Sequence, residues 1–316
     1  MTDKGTMKVI LDADHGIDDT MATIYLAAQP NVEIVAVGTV HGNAHSNQAA
    51  LNALQVLDML GLSNVPVAVG ATVPLAQEVD IAAMVHGEDG LGGCAVMGSR
   101  RVSIESAAEQ LVRLARSAPG EYVVLATGPL TNLALGLLIE PTLPTLLAQV
   151  VIMGGAVGVP GNVATHAEAN IWHDPEAAAL VFSAFSNVTL VPLDVTLPTW
   201  VGAEGLASIE QASSNSSNDL LRGILVQYEA FNRGVSGVAG FPLHDPSAAM
   251  LTVKPHLAEY IDAPISVELR GEHTRGMLVV DRRPGVSYSP DSNLVRIAMS
   301  MDPDTAVTEF LRGVLR

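Results

Sequence analysis

Four aspartates fall within eight residues near the start of the chain: Asp12, Asp14, Asp18 and Asp19, in the stretch LDADHGIDDT. Carboxylates crowded in this way repel one another and raise each other's pKa. A cation is what stabilises such a group, whether bound from solution or developing in a reaction. Carboxylates and backbone carbonyls are hard oxygen donors, which suit Ca²⁺ or Mg²⁺ rather than Zn²⁺. No Cys/His cluster with zinc spacing is present. The EF-hand pattern also fails: counting from Asp12, the fifth position is Gly16, the sixth Ile17 and the twelfth Thr23 instead of Glu. A metal must therefore recruit ligands from elsewhere, and His244-Asp245 is the distant candidate. With no Walker loop and no GxGxxG, nucleoside triphosphates and dinucleotides are unsupported.

The elements that must position these residues follow from the apolar pattern. Short Val/Ile/Leu runs at Lys8–Asp12, Val32–Val40, Val65–Val69, Tyr122–Ala126, Gln149–Met153 and Val188–Pro192 read as strands. Helical spacing lies between them, at Asp19–Ala28, Ser46–Leu60, Glu105–Ser117, Leu130–Leu138 and Pro175–Phe185. Continuous apolar strands alternating with helices predict a mainly parallel, Rossmann-like open α/β sheet covered on both faces. The C-terminal third differs. Glu204–Ser213, Asp219–Asn232, Leu243–Leu251 and Thr305–Leu315 read as helices, and SSNSSND as an exposed turn. Ile265–Leu269 and Met277–Asp281 read as an added C-terminal β-hairpin. There is no internal repeat and no long linker, so residues 1–316 are expected to form a single domain.

In a parallel sheet the C-terminal strand ends share one edge, and ligands bind there. The polar residues that follow the strands are the aspartates; His41 and Asn43; His86 and Asp89 in HGEDG; Thr127; then Met153 with Asn162, His166, Glu168 and Asn170 beyond it; and Asp194. Convergence over so many strands predicts a shared active-site edge.

These motifs, in this order, resemble the inosine–uridine preferring nucleoside hydrolase family. The resemblance runs from DADHGIDD through VHGN, HGEDGLGG, ATGPLTNLA, MGG, AEANIWHDPEAA and PLHDP to TRGMLVVDRR at Thr274–Arg283. It implies a Ca²⁺-dependent enzyme that splits free ribonucleosides into ribose and base. Asp14, Asp19 and Asp245, with the Thr127 carbonyl, would bind Ca²⁺. The ion would hold the attacking water, with Asp14 as general base. Asp18 and Asn170 would grip the secondary hydroxyls, with Asn43 nearby. Glu168 and Asn162 would hold the 5′-hydroxyl, and Met153 would pack under the sugar. Asp12 would orient the other aspartates from behind. His244 would face the leaving base as a general acid, and His86 fits the pyrimidine branch, with loop ordering as its plain alternative. Tyr228 and Phe231 are candidates for a base pocket or for core packing. Glycosidic cleavage passes through an oxocarbenium-like cation, which carboxylates stabilise. Two departures stand out: His15 where many members carry Pro, and Ala169 where a bulkier aromatic is common.

Composition narrows the alternatives. Hydrophobic residues make up 48% and charged residues 16%, so a large core is available. A net charge of −17 with three lysines argues against nucleic-acid and anionic-membrane partners and leaves small polar molecules or cations. A single cysteine, Cys94, reads as a small filler and fits a reducing cytoplasm. The N-terminus shows no leader core, and the long uncharged runs are broken by Gly and Pro. The resemblance implies a homodimer or homotetramer. Two rivals remain: a non-catalytic nucleoside- or ribose-binding protein, and a haloacid-dehalogenase-type phosphatase. The latter wants Thr or Val two residues after Asp14, where Gly16 stands.

Overall fold

The strands of the computed structural model, in chain order, are β1 Met7–Ala13, β2 Val32–Thr39, β3 Val67–Val69, β4 Tyr122–Ala126, β5 Gln149–Met153, β6 Val188–Val191, β7 Trp200–Val201, β8 Phe241–Pro242, β9 Ala258–Ala263, β10 Ile265–Val267, β11 Leu278–Val280 and β12 Val295–Met301. The structure describes residues 5–289 and 292–315. Residues 1–4, where the stretch expected to lack a leader begins, lie outside them. Among the described residues the main sheet has eight strands in the order β3-β2-β1-β4-β5-β6-β12-β9. All neighbours are parallel except the edge pair β12–β9.

Both faces of this sheet are buried, which is why the middles of its inner strands read as apolar runs. In β1, Val9 and Leu11 face one core cluster and Ile10 the other; in β4, Val123 and Leu125 oppose Val124 and Ala126. The 180° alternation of a strand distributes consecutive residues between two helical layers. One layer includes the Ile17–Ala27, Ser46–Met59, Ser216–Ser236, His244–Val253 and Pro303–Val314 helices; the other includes Ala107–Ser117, Thr131–Ile139 and Pro175–Ala184.

The expected doubly covered sheet is present, and β10 pairs with β11 as the antiparallel hairpin. Sequence reading missed β9 and β12. It also placed SSNSSND in an exposed turn, whereas Asn215 caps a helix that begins at Ser216 by accepting from the Asn218 N–H. Asn at an N-cap satisfies an otherwise unpaired backbone donor. Register then aligns the strand exits. Ala13 pairs with Thr39, Asp12 with Ala126, Ala126 with Ile152, and Met153 with Val191. The loops leaving β2, β1, β4, β5 and β6 therefore rise from one edge. No helix among the described residues is long and apolar enough to cross a membrane.

Candidate active site

Asp14 leaves β1 directly, and the chain then turns at His15 with a φ of +39°, the one left-handed non-glycine among the described residues. Proline, fixed near φ −65°, cannot adopt that backbone. His15 is fully buried, and neither ring nitrogen has a hydrogen-bond partner among the described residues. It is thus not interchangeable with proline in this geometry. The turn feeds the Ile17–Ala27 helix, whose first turn holds Asp18 and Asp19. Asp245 occupies the first turn of the His244–Val253 helix. Helix N-termini favour carboxylates, and packing brings these two ends together.

Carboxylate oxygens of Asp18, Asp19 and Asp245 lie within 4.8 Å of one another, all buried. Asp14 joins them through Asn43. The Asn43 amide nitrogen donates to Asp14 Oδ1 at 3.0 Å and Asp19 Oδ2 at 3.0 Å, and reaches Asp18 Oδ1 at 3.4 Å. Its backbone N–H donates to Asp14 Oδ2 at 2.7 Å. The approach needs glycine beside it: a Cβ added to Gly42 would stand 2.0 Å from Asp14 Oδ2. Asp19 also accepts from Gly16 N–H at 2.8 Å and from the Thr127 hydroxyl at 2.6 Å. Among the described residues no Lys or Arg pairs with these four acids; the nearest positive candidate is His86, 3.9 Å from Asp18. Burial, reinforced by Asp19 and Asp18, holds Asp14 well above the usual carboxylate range. Burial raises Asp18 to about 6, and burial with Asp18, Asp19 and Asp14 pushes Asp245 well up. Asp245 Oδ2 is buried with no partner among the described residues.

The other expected residues surround this cluster in different ways. Asn170 donates to the Thr127 carbonyl at 2.9 Å and to the Met153 carbonyl at 3.1 Å, which joins the exits of β4 and β5. Glu168 caps the Ala169–His173 helix and accepts from Gly155, Asn170 and Ile171 N–H groups; burial still raises it to about 7. Asn162 is exposed at the rim, where its oxygen accepts from Ala169 N–H. His86 Nδ1 accepts the Ile17 N–H at 3.1 Å, so the ring orders the aspartate loop and carries its proton on Nε2. His244 Nδ1 contacts the Thr196 hydroxyl at 2.8 Å. Burial, then the proximity of His86, lowers His244 to about 4, and burial lowers His86 to about 4. Both rings are neutral at rest. Tyr228 is buried, with its hydroxyl 3.4 Å from Asp18 Oδ2 and its ring 5.8 Å from that of His86. Phe231 is only half-buried.

Against this geometry, the family profile described as "Inosine-uridine preferring nucleoside hydrolase" matches residues 9–308. The chain belongs to this family. It is a nucleoside hydrolase. It is 38% identical over 303 residues to the pyrimidine-specific ribonucleoside hydrolase RihA of Shewanella woodyi, covering 95% of each chain. Uridine nucleosidase 1 of Arabidopsis thaliana is 35% identical, over 98% of this chain and 93% of its own. A solved plant nucleoside hydrolase superposes with a TM-score of 0.93 at 30% identity, covering 98% and 99% of the two chains. A purine-preferring ribonucleoside hydrolase from Gardnerella vaginalis superposes at 0.89 with 29% identity, covering 97% and 98%. One fold thus accommodates enzymes named for both base classes. The phosphatase rival finds no support in these matches.

Several residues of the hydrolase that bear on the site were not singled out from sequence. Thr196 holds His244. Asn132 donates at 2.6 Å to Asp12, the residue expected behind the other aspartates. Thr131 and Asn132 sit inside the quoted ATGPLTNLA motif, yet only Thr127 was selected from it.

Proposed function

We propose that the hydrolase acts on free pyrimidine ribonucleosides, uridine foremost, with Ca²⁺ held in its acidic cluster. The observation that carries this reading is the convergence of three buried carboxylates, Asp14, Asp18 and Asp19, on the Asn43 amide, with Asp245 within 4.8 Å of Asp18 and Asp19 and no lysine or arginine among the described residues pairing with the four. Asp14, Asp19 and Asp245, with the Thr127 carbonyl, are the proposed ligands, and Asp18 lies within the same reach. The fit rests on an all-oxygen donor set and on the orphaned Asp245 Oδ2. When bound, the cation supplies Lewis acidity and makes water easier to deprotonate.

Asp14 takes the proton from the attacking water. Its orientation is preset by the two bonds from Asn43. Asp18 and Asp19 offset the oxocarbenium-like charge on the sugar. Asp18 and Asn170 hold the secondary hydroxyls beside Asn43, and Met153 lies under the ring. Glu168, with Asn162, takes the 5′-hydroxyl through lone pairs left over from its backbone bonds. His244, neutral at rest, gives the departing base a hydrogen bond that strengthens as negative charge builds. His86 and Tyr228 flank that end of the pocket.

The pyrimidine assignment draws on the names of the two relatives above and on His86. We also assign the enzyme to the cytoplasm, as one domain assembling into a homodimer or homotetramer. A nucleoside panel tests the reading. With Ca²⁺, reducing sugar should appear at least tenfold faster from uridine and cytidine than from guanosine and adenosine. Faster release from purines would overturn the base assignment, and full activity after chelation would overturn the cation.

A further inference from the structure

Asn132 is fully buried on the first turn of the Thr131–Ile139 helix, and its amide is saturated. The amide nitrogen donates to Asp12 Oδ1 at 2.6 Å and to the Thr39 carbonyl at 2.9 Å; the amide oxygen accepts from Ala71 N–H at 2.8 Å. Asp12 is the penultimate residue of β1, Thr39 the last of β2, and Ala71 lies just beyond β3. Asn132 itself follows β4. One side chain therefore bridges the exits of four adjacent strands, β3-β2-β1-β4. The backbone is fitted to it: a Cβ on Gly70 would stand 2.2 Å from both the Asn132 oxygen and the Thr39 carbonyl.

Thr131 extends the bridge. Its hydroxyl donates to Asp174 Oδ2 at 2.7 Å and lies 3.2 Å from His41 Nε2. Asp174 in turn accepts from Leu75 N–H at 2.9 Å, on the loop that leads from β3 to His86. With the Thr131 hydrogen committed to Asp174, the hydroxyl is the acceptor and His41 the donor. The loops so joined are the ones that carry Asp14, Asn43, Thr127 and His86. None of these four residues touches Asn132, so its influence is through backbone placement.

We propose that Thr131 and Asn132 are positioning residues of the hydrolase, setting Asp14 against Asn43 and Thr127. Catalysis is sensitive to small displacements of its groups, because proximity holds only within a narrow range of geometry. The proposal rests on the aspartate cluster being the reaction centre, which Asp14→Ala tests separately: an active Asp14→Ala enzyme would sink that reading, whatever the positioning variants do.

The experiment compares kcat, KM and thermal midpoint for Ca²⁺-loaded wild type, Asn132→Asp, Thr131→Val and Asn293→Ala, with uridine. Asn132→Asp keeps the volume and the acceptor for Ala71 but loses both donors. Asn293 bonds two backbone carbonyls, Phe182 and Phe185, remote from the site, so it matches the type of loss. Asn132→Asp should lower kcat at least tenfold with KM within threefold, and Thr131→Val should lower it about threefold. Asn293→Ala should lower the midpoint and keep kcat within twofold. The proposal is overturned by kcat within twofold of wild type in Asn132→Asp, or by an equal kcat loss in Asn293→Ala. If Asn132→Asp does not fold, Thr131→Val decides alone, and kcat within twofold there overturns it.

Discussion

Two places in this molecule bury carboxylates, and they treat them in opposite ways. At the base of the C-terminal helix, Glu309 is buried but surrounded by donors: the Tyr25 hydroxyl at 3.0 Å, Lys254 and Arg312. Burial pushes its pKa up, yet the bonds from Lys254, Tyr25 and Arg312 outweigh it and hold the group below its ordinary value. At the exit of β1, Asp14, Asp18, Asp19 and Asp245 are buried more completely and lack a lysine or arginine partner among the described residues, and every one is raised. The first site is a closed ion-pair network that costs nothing in unmet charge. The second is left electrically unfinished. An unmet buried charge is costly, so its persistence marks a place where a cation is to be supplied, by binding and then by the reaction itself.

Exchange of one acid in each place should separate stability from turnover. The largest effect is expected from Asp14→Ala, which removes the proposed base and should lower kcat about 1,000-fold. Because it also removes a repelling charge, the cation-free midpoint should stay level or rise. Glu309→Ala should do the reverse. Losing its partly solvent-exposed pairs with Lys254 and Arg312 costs about 1 kcal/mol, while kcat stays within twofold. Denaturant unfolding and initial rates on both variants measure the contrast, and a stability loss in Asp14→Ala comparable to that in Glu309→Ala would collapse it.

The contrast also has a sign in pH. Asp18 is raised to about 6, and Asp12 and Glu168 to about 7. Their unfolded values lie near 4. Between about pH 4 and pH 6.5 the buried histidines His41, His86 and His244, lowered to about 4, are protonated only in the unfolded chain and oppose the acids. Above about pH 7 only the raised acids count: the folded, cation-free protein holds more protons than the unfolded chain, and its stability falls as pH rises. Glu309, depressed in the fold, contributes stability above its unfolded value and loses it as pH falls through the lower folded value. In chelator, the thermal midpoint should thus decline from pH 7 to pH 8. Added Ca²⁺ should lift the pH 8 midpoint most and flatten the decline. A midpoint that rises over that interval in chelator would contradict the raised acids.

How much of this could be read from sequence depends on where each residue sits. The aspartates, Asn43, Thr127 and Met153 directly follow or end apolar strands, so their place at the sheet edge was legible. β12 and β9 were not. They lie at the open edge, where Arg296 and Ser300 alternate with buried neighbours and Glu259 and Asp262 face outward, so no continuous apolar run marks them. Tyr228 falls on the same helical stripe as Leu221, Ile224 and Leu225, so sequence leaves base pocket and core packing open; its hydroxyl, 3.4 Å from Asp18, places it beside the aspartates. Thr131 and Asn132 follow Gly128-Pro129, where such residues commonly serve a turn or a helix start. Their partners come from other strands, which spacing cannot display.

The smallest expected effect tests whether the comparison extends to the leaving-group end. In the proposed mechanism the acidic cluster acts on water and sugar, so damage to it should slow all substrates alike. His244 is proposed to act on the base, and its hydrogen-bond partner among the described residues is the buried Thr196 hydroxyl at 2.8 Å. Thr196→Val removes that bond and keeps the shape. A single hydrogen bond of about 1 kcal/mol corresponds to roughly a fivefold change, so kcat for uridine should fall by about that factor. A nitrophenyl riboside, whose leaving group needs no help, should stay within twofold. Equal losses for the two substrates would move His244 out of leaving-group chemistry and into the same class as the cluster it borders.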